Sequence, residues 1–460
     1  MDRRQFLQTL GAGVAWSSRP KLRVATPPPN VVLILADDLG FGDVGAYGST
    51  LRTPNIDRMA SEGMLFRQIC APASVCSPSR AGLLTGRYGA RVGVPDVLFP
   101  DSNEGLAENE MTVASSLKSV GYRTMCIGKW HLGSKPGMLP TNRGFDEFYG
   151  LPYSNDMSPL PLMRNLKVVE PTADNNLLTQ RYTGQAMEWI KAAADQPFFL
   201  YLAHNVPHLP FGVSPDFRGK SKLGAYADAV AELDWSVGQV LGQIRDAALE
   251  ESTLVMFTSD NGPWYQGSAG RLRGRKGDTW EGGMREPFIA WMPGRIPAGG
   301  VSDAVGSLLD VFPTVAGLTG APRPDLPLDG VDLWPAFTGE QSTMERDVLL
   351  YFDHWNIQCA RFGPWKLHIS RTNVPAWTEE PTEGRINLPL PRPELYNLER
   401  DPSECYECGK EYPEVVADIQ ARVEALLPGF PTAVQSAWRD TANAQTRWTP
   451  VGASPASPRP

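Results

Sequence analysis

Two adjacent carboxylates, Asp37 and Asp38, directly follow the apolar run from Val31 to Ala36. Neighbouring like charges repel each other unless a cation neutralises them, and hard divalent cations prefer such oxygen donors. Asp260 and Asn261 end another apolar run and offer two more oxygen ligands. The carboxylate pair therefore indicates a candidate metal site, with a solvated polar turn as the alternative.

The segment Cys76-Ser77-Pro78-Ser79-Arg80 combines a nucleophile-type side chain with a cation. Pro78 suits the first turn of a helix and Gly86 suits its C-terminal stop, so the pattern predicts a helix that begins near Cys76. Arg80 then lies one turn along on the same face, beside backbone N–H groups that have no partner within the helix. This arrangement favours binding of an oxyanion. The alternative is a buried structural cysteine next to a surface arginine.

Three later loops supply cations and proton-transfer groups. Lys129 and His131 follow a strand-like run, and they point the same way if this segment is extended. In the next loop, His208 offers a metal ligand or an acid, whereas His204 is better explained as a hydrogen-bonded structural histidine. Lys276 precedes a glycine-rich run that ends in a proline. Each of these loops by itself would pass as an ordinary turn.

The composition limits the class of protein. A chain of 460 residues predicts two or three domains, at roughly 150 residues per domain. Its net charge of -8 has the wrong sign for a protein held on nucleic acid by phosphate contacts. Six cysteines are too few for a disulfide-built scaffold. No run approaches the roughly 20 apolar residues that span a bilayer.

The N-terminal segment Arg3-Arg4-Gln5-Phe6-Leu7, followed by a short apolar stretch, resembles a twin-arginine export signal. We therefore assign residues 1–26 to a signal and linker and expect a periplasmic or secreted protein, with a frayed N-terminus as the alternative. Residues 27–340 are assigned to a large α/β domain and 341–440 to a smaller α+β domain. Residues 441–460 are rich in Pro, Ser, Ala and Thr and are expected to form an irregular tail.

Apolar runs alternate with helix-like segments through the large domain. This alternation predicts a doubly wound α/β fold, with a large mixed sheet and helices on both faces. The polar clusters lie where strands end, which is the edge at which such sheets bind ligands. The predicted strands are Val31–Ala36, Arg123–Ile127, Pro197–Ala203, Leu254–Thr258 and Pro287–Met292, and the predicted helices are Pro54–Glu62, Val113–Ser119, Leu177–Ala194, Ala225–Ala248 and Leu308–Leu318. In the smaller domain we expect short strands, a Pro-rich loop through Pro393 and a helix from Val415 to Leu427.

The order and spacing of the motifs resemble those of the formylglycine-dependent sulfatases, of the arylsulfatase A type within the alkaline phosphatase-like superfamily. The matching motifs are the Asp-Asp pair, CxPSR, GKWHLG, PHxP, SDNG and KGxxxEGGxRxP. The resemblance runs from about Asn30 to the segment Glu394-Leu395-Tyr396-Asn397-Leu398, and it is particularly close from Leu151 to Asp156. It implies an enzyme that hydrolyses a sulfate ester.

The resemblance also implies two cofactors. Cys76 would be converted after translation to formylglycine by a formylglycine-generating enzyme or an equivalent maturase. A calcium ion, or magnesium, would be held by Asp37, Asp38, Asp260, Asn261 and the modified Cys76.

The residues that the resemblance places around the sulfate group are Arg80, Lys129, His131, Ser154, His208 and Lys276. Asp260 would act as the base when the formylglycine hydrate attacks sulfur. His208, aided by Lys276, would protonate the departing alcohol, and His131 would take a proton as sulfate is expelled. Cations and a metal aimed at a sulfate ester stabilise the charge that develops during its hydrolysis.

Three other functions remain open from the sequence. A phosphatase or phosphodiesterase of the same superfamily would more often use Ser or Thr as nucleophile and would need further His or Asp ligands. A cysteine phosphatase would not need the paired aspartates. A non-catalytic sulfoglycan-binding protein would be expected to have lost some of these groups. The substrate is open between aryl sulfates and sulfated carbohydrates, and the latter are favoured for an exported enzyme.

Two features lie outside the family motifs. Arg271, Arg273 and Arg275 crowd the approach to the KGxxxEGGxRxP motif and could meet a second anionic group on a substrate, although exposed arginines are common on loops. Cys405 and Cys408 form a single CxxC, which we interpret as incidental cysteines or as partners in an undetermined disulfide.

Overall fold

Residues 28–375, 378 and 384–446 are described by a computed structural model of the protein. The predicted export signal and residues 447–460 of the predicted tail lie outside these residues, so both stay predictions. Within the described residues, no helix combines the length and the apolar character needed to cross a membrane.

A large mixed sheet is built around the first predicted strand. Its strands are β1 (Asn30–Ala36), β2 (Met64–Cys70), β3 (Arg123–Lys129), β4 (Glu147–Leu151), β5 (Leu162–Arg164), β6 (Lys167–Glu170), β7 (Phe198–Ala203), β8 (Thr253–Ser259), β9 (Arg285–Trp291), β10 (Gly300–Ser302) and β11 (Gly306–Ser307). They pair in the order β10-β2-β9-β8-β1-β7-β3-β4-β5-β6, and β11 pairs with β2. All residues of β1 are buried, and its side chains alternate between two separate cores, with Val31 and Leu33 on one face and Val32 and Ile34 on the other.

Helices cover both faces of this sheet. They are α1 (Pro54–Glu62), α2 (Cys76–Thr85), α3 (Val113–Ser119), α4 (Leu178–Ala193), α5 (Ala225–Asp246), α6 (Glu281–Met284), α7 (Val311–Thr319) and α8 (Trp334–Phe337). Side chains of α1, α4 and α5 pack into the core on one face, and those of α2, α3 and α7 pack into the core on the other. The predicted doubly wound α/β fold with a large mixed sheet is confirmed.

Four parallel strands bring polar residues to one edge of the sheet. β1 runs parallel to β7 and β8, and β7 runs parallel to β3. Asp37 follows β1, Lys129 ends β3, His204 follows β7 and Asp260 follows β8. The polar clusters that are far apart in the sequence therefore meet at the carboxyl ends of these strands.

A second, antiparallel sheet forms the C-terminal region. Its strands pair in sequence order and are β12 (Leu349–Asp353), β13 (Asn356–Phe362), β14 (Trp365–Thr372) and β15 (Asn387–Asn397), and α9 (Pro413–Leu426) and α10 (Thr432–Thr446) pack on it. The smaller α+β region is thus confirmed, while the domain limits stay predictions. An isolated parallel bridge between Ala73 and Phe352 joins this region to the segment before α2.

Two local predictions in this region are wrong. The Pro-rich stretch through Pro393 is not a loop throughout, because β15 includes Pro389 and Pro393. This strand lies at the edge of its sheet, where a missing N–H donor can face away from the ladder. Residues 441–446, assigned to an irregular tail, continue α10, because Trp438 packs into the small core and Gln445 donates to the carbonyl oxygen of Ile369 at 2.9 Å.

Candidate active site

Cys76 is the first residue of α2, as the positions of Pro78 and Gly86 predicted. The helix ends at Gly86, whose φ of 68° is left-handed and suits glycine. Every residue of α2 is buried, and Cys76 is 2% exposed. Its Sγ lies 3.5 Å from Oδ1 of Asp37 and 3.4 Å from Nζ of Lys276. A carboxylate and a cation therefore flank the thiol.

Arg80 lies one helical turn after Cys76 and is completely buried. Its Nε donates to Oδ2 of Asp260 at 2.8 Å, its Nη1 donates to the carbonyl oxygen of Lys129 at 2.9 Å, and its Nη2 lies 3.4 Å from Oδ1 of Asp37. Burial by itself lowers the pKa of the guanidinium, but Asp260 and Asp37 hold this pKa well above its usual range. The alternative of a surface arginine is wrong, because this cation is fixed inside the site.

Lys129 provides a second buried cation beside Asp37. Its Nζ donates to Oδ2 of Asp37 at 2.7 Å and to Oγ of Ser154 at 3.0 Å. Burial raises the pKa of Asp37, but the cations Lys129 and Arg80, together with the nearby imidazole of His208, outweigh this effect and hold it well below the usual range. Asp37 is therefore a permanent anion in the site.

Asp38 collects a second set of partners. Nζ of Lys276 lies 2.8 Å from its Oδ1 and 2.9 Å from its Oδ2, and Nδ2 of Asn261 donates to Oδ1 at 2.8 Å. Its backbone N–H donates to Oδ1 of Asp260 at 3.2 Å. Asp38 has a φ of 64°, which lets the chain turn sharply directly after β1. Both members of the carboxylate pair therefore face the same site.

The two predicted proton-transfer histidines are both buried. His131 has a φ of 59°, so the segment from Lys129 to His131 is not extended, and the condition under which the two side chains were expected to point the same way is not met. Its Nε2 donates to the carbonyl oxygen of Leu98 at 2.8 Å, which leaves Nδ1 without a partner among the described residues. Burial, followed by the charges of Lys129 and Arg80, lowers the pKa of His131 well below its ordinary value.

His208 lies nearer to the carboxylate pair. Its Nε2 is 3.7 Å from Oδ2 of Asp38, and its Nδ1 donates to the carbonyl oxygen of Leu209. Burial and then the charge of Lys276 lower the pKa of His208. His204 instead contacts Oγ of Ser236 at 3.1 Å, and burial lowers its pKa to about 3, in keeping with the expected structural role.

The donor set suits a divalent cation. Ligand atoms of Asp37, Asp38, Cys76 and His208 lie within 4.8 Å of one another. Oδ1 of Asn261 is buried and has no hydrogen-bond partner among the described residues, which is the state expected of an oxygen that faces a cation. The structure thus brings oxygen donors of the two predicted pairs together, and it adds His208 to their surroundings.

Sequence reasoning missed the residues that hold the Lys276 loop. Glu281 is completely buried and accepts from Nζ of Lys366 at 2.9 Å, and the same Nζ lies 3.1 Å from Oε1 of Glu404. Oε2 of Glu404 accepts from the backbone N–H of Glu281 at 2.7 Å. Glu281 belongs to the EGGxRxP motif, but nothing in the sequence indicated that its partners lie on the C-terminal sheet.

The comparison with protein families covers both regions. A family model described as "Sulfatase" matches residues 29–321, and a model described as "C-terminal region of aryl-sulfatase" matches residues 344–458. The chain belongs to the sulfatase family.

Individual relatives of this sulfatase agree with the family models. N-acetylgalactosamine-6-sulfatase of Canis lupus familiaris is 39% identical to it over 88% of each chain. Arylsulfatase A of Homo sapiens is 38% identical over 88% of this chain and 86% of its own length. The structure of the PsFucS1 sulfatase from Pseudoalteromonas sp. is similar, with a TM-score of 0.79 and 29% identity over 88% of this chain and 91% of that chain. The resemblance to arylsulfatase A-type enzymes is confirmed.

Proposed function

We propose that this sulfatase hydrolyses sulfate monoesters of carbohydrates, releases inorganic sulfate and accepts aryl sulfates as assay substrates. The observation that carries the proposal is the convergence of Arg80, Lys129 and Lys276 on buried carboxylates beside Cys76. Buried cations aimed at one point stabilise the charge that develops on the oxygens of a transferring sulfate group. The relative named N-acetylgalactosamine-6-sulfatase supports a carbohydrate substrate.

The nucleophile in this proposal comes from Cys76 after conversion to formylglycine. Burial raises the pKa of the Cys76 thiol, although Lys129 and Lys276 act in the opposite direction, so an unmodified thiolate is disfavoured. A separate maturation enzyme, acting with its own oxidant, would remove the sulfur and leave Cβ as an aldehyde. The hydrate of this aldehyde would supply the oxygen nucleophile for the sulfate ester.

A calcium or magnesium ion belongs to the same proposal. Asp37, Asp38, Asp260, Asn261 and the modified residue 76 would hold it. The four unmodified side chains are hard oxygen donors without a histidine, which favours these ions over zinc. When bound, the ion would neutralise the carboxylates and act as a Lewis acid on a sulfate oxygen.

The protein's own side chains bind and orient the sulfate. Arg80 and Lys129 are fixed by carboxylates and need little rearrangement when an anion arrives. Oγ of Ser154 accepts a hydrogen bond from Lys129, so its own O–H is available to donate to a sulfate oxygen.

Asp260 and His208 transfer the protons in the first step, in which the nucleophile attacks sulfur and the alcohol departs. Burial raises the pKa of Asp260 to about 6, while Arg80 opposes this rise, so at neutral pH it is mostly a carboxylate that can accept a proton. His208 is neutral in the free site, with Nδ1 as donor and Nε2 open. The negative charge of a bound sulfate ester raises its pKa, so Nε2 can take up a proton and pass it to the departing alcohol. Lys276 stays charged beside it, because Asp38 outweighs burial and raises its pKa.

His131 has the complementary position for the second step. Because Nε2 is committed to the carbonyl oxygen of Leu98, Nδ1 is the open nitrogen. A neutral imidazole with a low pKa accepts a proton transiently and returns it readily. His131 would therefore take the proton that must be lost as sulfate leaves.

The cellular setting is part of the proposal as well. The twin-arginine-like N-terminus supports export to the periplasm or the medium, where sulfated glycans are accessible. A formylglycine-generating enzyme, or an equivalent maturase, would be the partner that acts on the CxPSR segment before export.

The direct test is release of inorganic sulfate. Purified protein from a host with a maturation enzyme is expected to release sulfate from 4-nitrophenyl sulfate and from a set of sulfated monosaccharides, and to lose this activity after chelation of divalent cations. The Cys76→Ala variant is the matched control and is expected to be inactive. Faster release of phosphate from 4-nitrophenyl phosphate than of sulfate from its sulfate analogue would contradict the proposal in favour of a phosphatase.

A further inference from the structure

A small pocket lies next to the loop that carries Lys276. It has a volume of about 270 Å³, just below the roughly 300–1,000 Å³ of typical small-molecule sites. The residues that line it are Arg273, Gly274, Asp278, Thr279, Trp280, Gln358, Arg371, Thr372 and Pro375. Asp278 is two residues from Lys276, so their backbones lie within about 7 Å of each other. The pocket is thus adjacent to the sulfate site and has room for a single substituent.

Two arginines from different parts of the fold give this pocket its chemistry. The guanidinium carbons of Arg273 and Arg371 lie 3.8 and 4.3 Å from the ring centroid of Trp280. Arg273 is exposed and donates one hydrogen bond, to the carbonyl oxygen of Glu404 at 3.1 Å. Arg371 is paired with Glu394, and its Nε has no hydrogen-bond partner among the described residues. Both guanidinium groups therefore keep N–H donors that make no hydrogen bond within the described residues.

The lining of the pocket is cationic on balance. Its one carboxylate is Asp278, which accepts from the backbone N–H of Arg275 at 3.0 Å. Burial raises the pKa of Asp278 to about 6, although Arg385 and Arg273 partly oppose this rise. Among the lining residues two guanidinium groups thus outnumber one carboxylate, while Glu394, outside the lining, pairs with Arg371.

A series of contacts leads from the pocket toward the segment that binds His131. Oγ1 of Thr279 donates to Oε1 of Gln358 at 2.8 Å, and Nε2 of Gln358 donates to Oδ2 of Asp353 at 3.3 Å. The neighbour of Asp353, His354, pairs with Asp96 at 2.8 Å. Asp96 is two residues before Leu98, whose carbonyl oxygen binds His131. The pocket and the segment that binds His131 are therefore linked through the C-terminal sheet.

Only one of the three arginines singled out in the sequence reaches this pocket. Arg275 is turned away and donates to the carbonyl oxygens of Trp264 at 3.1 Å and Gly267 at 2.6 Å. Arg271 lines a different, wider cleft. Arg271 therefore offers a matched control, because it is an exposed arginine in the same loop as Arg273.

We propose that Arg273 and Arg371 bind a second anionic substituent, a sulfate or a carboxylate, on a carbohydrate whose reacting sulfate ester lies at residue 76. This inference rests on the proposed function and narrows its substrate class to multiply anionic glycans. Bidentate guanidinium contacts suit both kinds of anion, because their oxygens match the guanidinium fork. The ring of Trp280 holds the two guanidinium groups at the pocket wall.

The test measures competitive inhibition of 4-nitrophenyl sulfate hydrolysis. The first set of inhibitors is N-acetylgalactosamine 6-sulfate, its 4,6-disulfate, and the 6-sulfate linked to glucuronate. Two further pairs, each a monosulfate and a disulfate of the same sugar, are derived from glucosamine and from galactose. In the native enzyme at least one doubly anionic sugar is expected to bind about tenfold more tightly than its monosulfate. The ratio of the inhibition constant of the monosulfate to that of the doubly anionic sugar should fall to near one in Arg273→Gln and in Arg371→Gln. It should stay at about ten in Arg271→Gln. The ratio is taken within each enzyme, so a change in the basal rate does not affect it.

The outcomes separate the two claims. Absence of any doubly anionic preference in the native enzyme, or its persistence in both pocket variants, overturns the inference while leaving sulfate ester hydrolysis intact. An equal loss of the preference in Arg271→Gln also overturns the inference, because any positive charge on this loop would then have the same effect. Failure of the native enzyme to hydrolyse any sulfate ester overturns the proposed function instead, and calorimetric titration with the same sugars then tests the pocket directly. A selective response to the disulfates or to the glucuronate sugar identifies the anion.

Discussion

At the scale of single residues, local and distant information contribute differently to the site. The place of Cys76 at the start of a helix could be predicted, because Pro78 and Gly86 act within a few residues of it. The ion pair between Arg80 and Asp260 could not be derived from local pattern, because it joins positions 180 residues apart. It depends on α2 and β8 meeting at one edge of the sheet. The backbone of His131 was likewise missed, since its left-handed φ is set by tertiary contacts.

The division of labour between the two histidines is testable at this scale. If His208 protonates the leaving oxygen, His208→Ala should lower kcat/KM by about 100-fold or more for a sugar sulfate and by much less for 4-nitrophenyl sulfate, because an activated phenol leaves without an acid. His131→Ala, the matched variant, should slow both substrates alike. The measurement is kcat/KM for His208→Ala and kcat for His131→Ala, each with both substrates, because the step assigned to His131 follows departure of the alcohol. Equal damage to both substrates in His208→Ala would show that the acid has been assigned wrongly.

At the scale of elements, helices and strands were predicted correctly where the spacing of apolar residues was clear. They were predicted wrongly where pairing with a neighbouring strand decided the structure. α1 and α3 match their predicted limits, since Thr53-Pro54 and Thr112 mark helix starts. The limits of β2 were not predicted, because a bulge places the polar residues Arg67 and Gln68 in the middle of the strand. β15 was missed because proline normally argues against a strand, and only its edge position permits it.

The end of α2 gives a prediction for an element. Gly86 has a φ of 68°, and a Cβ there would lie 3.1 Å from Leu328 and 3.3 Å from the carbonyl oxygen of Leu309. Gly86→Ala should therefore lower the free energy of unfolding by about 1–2 kcal/mol. Gly184→Ala is the matched control, because Gly184 is an exposed residue within α4 and nothing lies within 4 Å of its added Cβ. This control should instead stabilise the protein by about 0.5–1 kcal/mol. Urea unfolding of both variants measures the sign of each change in the free energy of unfolding. A destabilised Gly184→Ala beside an unchanged Gly86→Ala would contradict the left-handed C-terminal stop assigned to Gly86.

At the scale of the whole molecule, the C-terminal sheet supports the catalytic loop. The two-region architecture was predictable because the alternation of strands and helices stops near the end of the large domain. The network of Glu281, Lys366 and Glu404 across the two regions was not, because no local pattern pairs charges from separate sheets. This network fixes the segment that follows Lys276, and so it connects the small sheet to the sulfate site.

Removal of Lys366 tests this connection. Lys366→Met leaves two completely buried carboxylates without their shared cation. We expect a loss of about 1–3 kcal/mol in the free energy of unfolding, because two charge-assisted hydrogen bonds are lost while Arg285 still pairs with Glu281 and His368 still contacts Glu404. The exposed pair of Arg58 and Glu62 is the control, and Arg58→Met should cost less than about 1 kcal/mol. Urea unfolding measures both values, and equal small losses would show that the buried network contributes little.

The central claim of this account is that hydrolysis depends on residue 76 in a chemically modified form. Its position at the start of α2, between Asp37 and Lys276, places the reacting atom at the point where the cations converge. The most direct measurement is mass spectrometry of the peptide that contains Cys76, taken from protein with measured sulfatase activity, beside the activity and folding of Cys76→Ala. We predict an aldehyde or its hydrate in place of the thiol, in proportion to activity, and an inactive but folded variant. Full activity in protein that carries only unmodified Cys76 would contradict the account.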